Sequence, residues 1–142
     1  MEDLWPRDIE ISSTKLKVPA AILKAQGSLL GEKTDNIVVG RVRRTSPPLG
    51  LEAENTLFYE FLIVGTVLGY SYSLFEITHS IAFYPVIFTA LDNDIQKELE
   101  LAPGNLPKPV SEEDFKHWLR KILNTQKLKD LVSAILAQSS AM

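Results

Sequence analysis

The chain has no cysteine among its 142 residues, which excludes disulfides and thiolate metal sites and is compatible with any compartment. It has no lysine or arginine between Arg44 and Lys97, so any counter-charge for carboxylates in that stretch must come from the flanks. His-x-x-x-His spacing is absent, and a lone His79 does not make a metal site. Gly27, Gly31 and Gly40 match neither the dinucleotide nor the nucleotide phosphate loop, and Ser80 sits in no Gly-x-Ser-x-Gly elbow. No catalytic or cofactor motif is therefore visible, and the expectation is a non-enzyme without a cofactor. Long apolar runs are missing too. From Leu57 to Leu91 the residues are mostly apolar, but Glu60, Gly65, Gly69, Ser71, Ser73, Glu76, His79 and Pro85 interrupt the roughly 20 consecutive residues a membrane helix needs. The start, Met1 to Asp8, is acidic and broken by Pro6, unlike a secretory signal. These absences point to a cytoplasmic chain with no membrane segment, of a kind commonplace in bacteria. The formal charge of −3 argues against a protein whose main work is neutralising nucleic-acid phosphates.

The cation-free stretch carries nine of the ten Phe and Tyr residues and six carboxylates. Its β-branched and aromatic content reads as strand, about Thr56 to Thr66, Gly69 to His79 and Ile81 to Leu91. Ile37 to Arg44 is a further strand, and Ile95 to Leu101 alternates like an edge strand after the turn Asp92-Asn93-Asp94. A small hairpin is expected where Ile9 and Ile11 precede Leu16 and Val18. Between these, Pro19 opens a helix that runs to Lys33 and is ended by Thr34-Asp35-Asn36. Gly27 and Gly31 inside it cost roughly 1 kcal/mol each relative to alanine. Thr45 to Gly50, with two prolines, is a loop.

Ser111 followed by Glu112, Glu113 and Asp114 starts a C-terminal helix, with a serine cap and acids at the positive end of the dipole. Phe115, Trp118, Leu119, Ile122 and Leu123 form one apolar face. Leu128, Leu131, Val132, Ile135 and Leu136 repeat it thirteen positions on, so Asn124-Thr125 makes a helical hairpin. The cations Lys116, Arg120, Lys121, Lys127 and Lys129 invite a helix-turn-helix comparison. Nearby acids nearly balance them and the turn lacks glycine. The expected fold is one α+β domain over residues 1–142: an antiparallel sheet of about four to six strands with an N-terminal helix within 8–104, and a helical hairpin over 111–139 packed on it. Strands apolar on both faces imply cover on both sides, the early helix on one and the hairpin on the other.

Val67-Leu68-Gly69 as a three-residue loop sets Glu60 opposite Glu76, Phe61 opposite Phe75, Leu62 opposite Leu74 and Leu57 opposite His79. Two opposed carboxylates need a cation, a shared proton or water. Arg41, Arg43 or Arg44 are the nearest in sequence, and Glu60, Glu76, Arg41, Arg43 and His79 form the candidate ion-pair and binding group. Tyr59, Tyr70, Tyr72, Tyr84 and Trp118 form a candidate aromatic surface. Aromatics of this kind suit an interface with another protein or with a second copy. The reading is a non-catalytic interaction domain, an oligomer subunit or small inhibitor-like partner. The alternative is a small-molecule binder with an aromatic-lined pocket between sheet and C-terminal helices.

Overall fold

A proline opens the first helix and two residues tolerant of left-handed backbone close it. In a computed structural model, which describes residues 1–8, 18–47 and 56–142, helix α1 spans Pro19–Lys33 with proline at its start. Asp35 and Asn36 follow with φ of 51° and 61°, a region that short polar side chains enter more readily than others. Strands β1 (Val38–Arg44), β2 (Thr56–Gly65), β3 (Tyr70–Ser80) and β4 (Val86–Leu91) make one antiparallel sheet in chain order. Helices α2 (Asn93–Glu98), α3 (Glu112–Leu123) and α4 (Gln126–Ser140) complete the chain. The α+β class holds, with an N-terminal helix, a four-stranded antiparallel sheet and C-terminal helices. The small hairpin expected from residues 9–17 and the Pro48-Leu49-Gly50 part of the loop lie outside the described residues.

Glu60 does face Glu76, Phe61 faces Phe75 and Leu57 faces His79. The route to that register differs from the expected one. The β2–β3 turn has four residues, 66–69, because Gly65 pairs with Tyr70, and on its own that would slip every pair by one. A bulge at Leu74 reverses the slip, so Leu62 faces Ser73 rather than Leu74. The bulge also lets Leu74 and Phe75 both be buried, since an extra residue breaks the strict alternation of faces.

Two expected strands change. Residues 81–85 turn rather than extend, with Phe83 at φ 80°, so β4 begins only at Val86. The edge strand expected over Ile95–Leu101 is instead α2. Asp92 caps it, its Oδ1 accepting from the Ile95 N–H at 3.0 Å. Ile95 is fully buried. An N-cap at the first residue of the turn outweighs the alternating pattern that suggested a strand. The edge of β4 is covered by a Pro107-Lys108-Pro109 segment, whose proline carbonyls accept from Phe88 N–H at 3.1 Å and Val86 N–H at 2.9 Å. A segment with prolines at these positions offers few N–H groups for another strand, which ends the sheet.

The helices meet the sheet on one face, whereas the expectation put α1 on one face and the C-terminal hairpin on the other. The buried cluster joins Val38, Phe61, Ile63, Phe75, Ile77 and Phe88 of that face to residues of α1, α3 and α4. A run of rings ties sheet to hairpin: Phe61–Phe75 at 5.3 Å, Phe75–Phe88 at 5.1 Å and Phe88–Phe115 at 6.2 Å between centroids. Burial of each such side chain contributes roughly 1.5–3 kcal/mol. Phe58 and Val64, on the opposite face of β2, are also buried but stand outside this cluster.

Helix α1 explains its glycines. Pro19, Leu23, Gly27 and Gly31 fall on one buried row, four residues apart. A Cβ built on Gly27 would lie 2.2 Å from the Gly40 carbonyl oxygen, and one on Gly40 would lie 2.7 Å from the Gly27 Cα. Helix and strand thus touch backbone to backbone, and the propensity cost of glycine is the condition for that contact.

Candidate binding groove

The next row round α1 from its glycine stripe holds Ile22, Gln26, Leu29, Leu30 and Lys33. These residues line a groove of about 650 Å³ between α1 and the α3–α4 hairpin, with Phe61 and Ile63 of β2 as floor. Leu29 is 44% exposed there. The far wall comes from Lys116, Leu119, Arg120 and Leu123 of α3, then Leu128, Lys129, Val132 and Ser133 of α4, with Asn124 between. Helical spacing puts the apolar row 119/123 beside the basic row 116/120, and the row 128/132 beside Lys129 and Ser133. The lining holds four cations and no carboxylate. Lys116 is paired with Glu112 at 3.0 Å. Lys33, Arg120 and Lys129 have no ion pair among the described residues. Lys33 and Arg120 lie in the last turns of their helices, where the dipole favours cations, so they are held at the rim without a carboxylate.

The far wall is anchored from behind. Glu98 of α2 accepts from the Gln126 and Lys127 N–H groups at 2.7 and 2.8 Å, capping the positive end of α4 from another element. Thr125 caps the same end from within the chain. Lys127 Nζ reaches Asp94 at 2.8 Å and Asp92 at 3.9 Å, and lies 5.3 Å from the Tyr72 ring centroid. The hydrogen bond to Asp94 raises the Lys127 ammonium above its ordinary value, and the same contact lowers the Asp94 carboxyl. Tyr72 donates to Asp92, and that bond, with burial, raises its phenol. Lys127 is therefore committed to structure. Lys121 is turned to Trp118, 4.9 Å from its ring centroid. Neither lines the groove.

The residues singled out from sequence fall elsewhere. Arg43 faces Glu60 across β1–β2 and its guanidinium donates to the Glu60 carboxylate. The cation-free centre is thus covered from its N-terminal flank, the simpler of the expected arrangements. Arg41 faces Leu62 and is exposed. Glu76 lies beside both Glu60 and Ala90. His79 is on the other face of β3, three residues along an alternating strand from Glu76, and is 3% exposed. Its Nδ1 lies 2.7 Å from the Ser80 carbonyl oxygen, which can only accept, so the proton sits on Nδ1. Its ring stacks on Tyr59 at 5.7 Å, and Nε2 has no hydrogen-bond partner among the described residues. Among the described residues no three acidic or histidine side chains are placed to hold a metal ion.

The aromatics are dispersed rather than gathered into one surface. Tyr70 is exposed near the β2–β3 turn, Tyr59 and Tyr72 pack partly on the core, and Trp118 is half-buried. Tyr84 packs edge-on to Phe115 at 6.5 Å, and burial, with Glu112 nearby, pushes its phenol up to about 12. None of the five lines the groove. The groove residues that sequence reading left aside carried one usable signal, a second apolar row on α1 ending in Lys33. No described helix is long and apolar enough to cross a membrane. In comparisons with protein-family models, curated proteins and solved structures, nothing matches this chain.

Proposed function

We propose that the chain is a non-catalytic, cytoplasmic interaction module whose groove between α1 and the α3–α4 hairpin receives an apolar segment flanked by acidic residues from a protein partner. The observation that carries this reading is the lining: an apolar floor and walls bordered by four cations, with no carboxylate, on a chain of net charge −3. A helix laid in such a groove buries its apolar row while its flanking carboxylates meet the rim, the usual physics of helix-in-groove recognition. Charge of one sign at the rim mainly sets choice of partner and rate of encounter, and the buried apolar row sets the lifetime.

The test is a titration of a synthetic helical peptide with leucines on one face and glutamates beside them, followed by calorimetry. Binding is expected to weaken roughly tenfold or more when Arg120 and Lys129 are both changed to Glu. It is expected to be lost when lysines replace the peptide's glutamates. Equal affinity for the acidic and basic peptides would sink the reading.

The volume favours one second reading. About 650 Å³ lies within the range of small-molecule pockets, roughly 300–1,000 Å³, and an acyl chain with a carboxylate head has the same chemistry as the peptide. A fatty carboxylate that binds in the titration while the peptide does not would put this second reading first.

A further inference from the structure

The N-terminal arm, Met1 to Asp8, carries the chemistry the groove selects. Leu4 is 83% and Trp5 75% exposed, although two large apolar side chains side by side ordinarily find cover. Glu2, Asp3 and Asp8 surround them, with Arg7 the only basic side chain in the arm. The arm has local shape: the Asp3 carboxylate accepts from the Trp5 N–H at 3.0 Å, an Asx turn of the kind that holds short segments bent. On the body of the same chain, the groove offers an apolar floor, an exposed Leu29 and cations without acids. A single chain therefore presents both halves of a complementary pair: an exposed Leu4-Trp5 and a groove in which Lys33, Arg120 and Lys129 have no ion pair among the described residues.

We infer that the groove takes the Leu4-Trp5 arm of a second copy, so that two chains exchange arms in a symmetric dimer. This rests on the reading of the groove as a site for an acidic apolar segment, and it names a partner. Nine residues, 9–17, separate the arm from the start of α1 region and can span up to about 30 Å, enough to reach a neighbour. Exchange between two copies closes on itself, because each groove is filled by the other chain's arm and no site is left to propagate. Two weak arm–groove contacts then act together, the second forming at high effective concentration. The negative arm also brings carboxylates to the positive groove, which offsets repulsion between two chains of net charge −3.

The experiment is sedimentation equilibrium on the full chain and on two double variants, Leu4→Ser with Trp5→Ser and Arg120→Glu with Lys129→Glu. All four positions are exposed, so folding is expected to survive, and thermal melts check it. The unaltered chain should show a concentration-dependent dimer, and each double variant should dissociate roughly tenfold or more readily. An equimolar mixture of the two variants keeps one arm–groove contact, so it should associate more readily than either variant alone and less readily than the unaltered chain. A chain that stays monomeric at about 200 μM overturns the inference. So does an arm variant that dimerises as the unaltered chain does, or a mixture that associates no more readily than either variant alone. Trp5 fluorescence in a Trp118→Phe background covers the remaining case: a blue-shifted, strictly monomeric chain would mean the arm fills its own groove, and that also overturns it. The helical peptide titrated against the arm variant decides the groove reading separately, since that variant keeps the groove and lacks the competing side chains.

Discussion

On its β1 side, helix α1 comes to backbone contact through Gly27 and Gly40, with no room for a single Cβ. On its hairpin side the same helix stops short of α3 and α4 and leaves about 650 Å³ between apolar walls. The residue types follow the geometry. Glycine sits where the approach is close, while leucine, glutamine and lysine sit where it is open. A gap left by poor packing would be closed by long aliphatic side chains reaching across, yet Leu29 stands 44% exposed. One side of α1 is built to be shut and the other to remain accessible.

Adding a methyl to the closed side is the hardest blow to this contrast. Gly27→Ala gains up to about 1 kcal/mol of helix propensity, but its Cβ must push the Gly40 backbone away. We expect a net loss of about 3 kcal/mol, read as a fall of roughly 10 °C in Tm. A variant as stable as the parent would mean that the tight side is not tight.

The open side depends on a wall held from behind by α2, so that anchor is the next point to break. Asp92→Ala removes the cap of α2 and leaves the Tyr72 hydroxyl without its carboxylate. The expected loss is about 2 kcal/mol. Hydrogen exchange should show α2 and the first turn of α4 opening while α1 and β1 keep their protection. Uniform loss of protection would show that the two sides of α1 are not independent.

The smallest effect is one of pH. The Asp94 carboxyl is lowered in the folded chain by Lys127, so its contribution is present above its unfolded value. That contribution disappears as pH falls through the lower folded value. Asp94→Asn should therefore be less stable than the parent near neutral pH, with the difference fading as pH falls through the lowered folded value of the carboxyl. A difference that persists at low pH would place the anchor in packing rather than in charge.

Much of the fold was legible in local pattern. Pro19 and Thr34-Asp35-Asn36 bounded α1, Ser111 and Thr125 capped α3 and α4, and the opposed Glu60 and Glu76 followed from the register assumed for a short β2–β3 turn. The register came out right there although the turn was a residue longer than expected, because the bulge at Leu74 compensates for it. The misread segments are those where a tertiary contact overrode the pattern. Ile95–Leu101 alternates like a strand, but Asp92 caps it as a helix and Ile95 fills the core. The candidate site was less legible than the fold. Aromatic content drew the eye to Tyr59, Tyr70, Tyr72, Tyr84 and Trp118, which the sheet and hairpin distribute over separate contacts. The groove is instead lined by unremarkable leucines and lysines whose proximity depends on how three helices share one face.

What the sequence by itself determined is therefore most of the elements, the ends of α1, the caps of α3 and α4, and the charge asymmetry of a centre with no cation. These follow from interactions spanning a few residues and from side-chain periodicity, which need no knowledge of distant parts of the chain. Only the tertiary structure decided that α1 and the hairpin lie on the same face, that Arg43 covers Glu60, and that a basic-rimmed apolar groove lies between the helices. Those outcomes depend on which surfaces approach how closely, and a single glycine contact between α1 and β1 sets that distance for the rest of the layer.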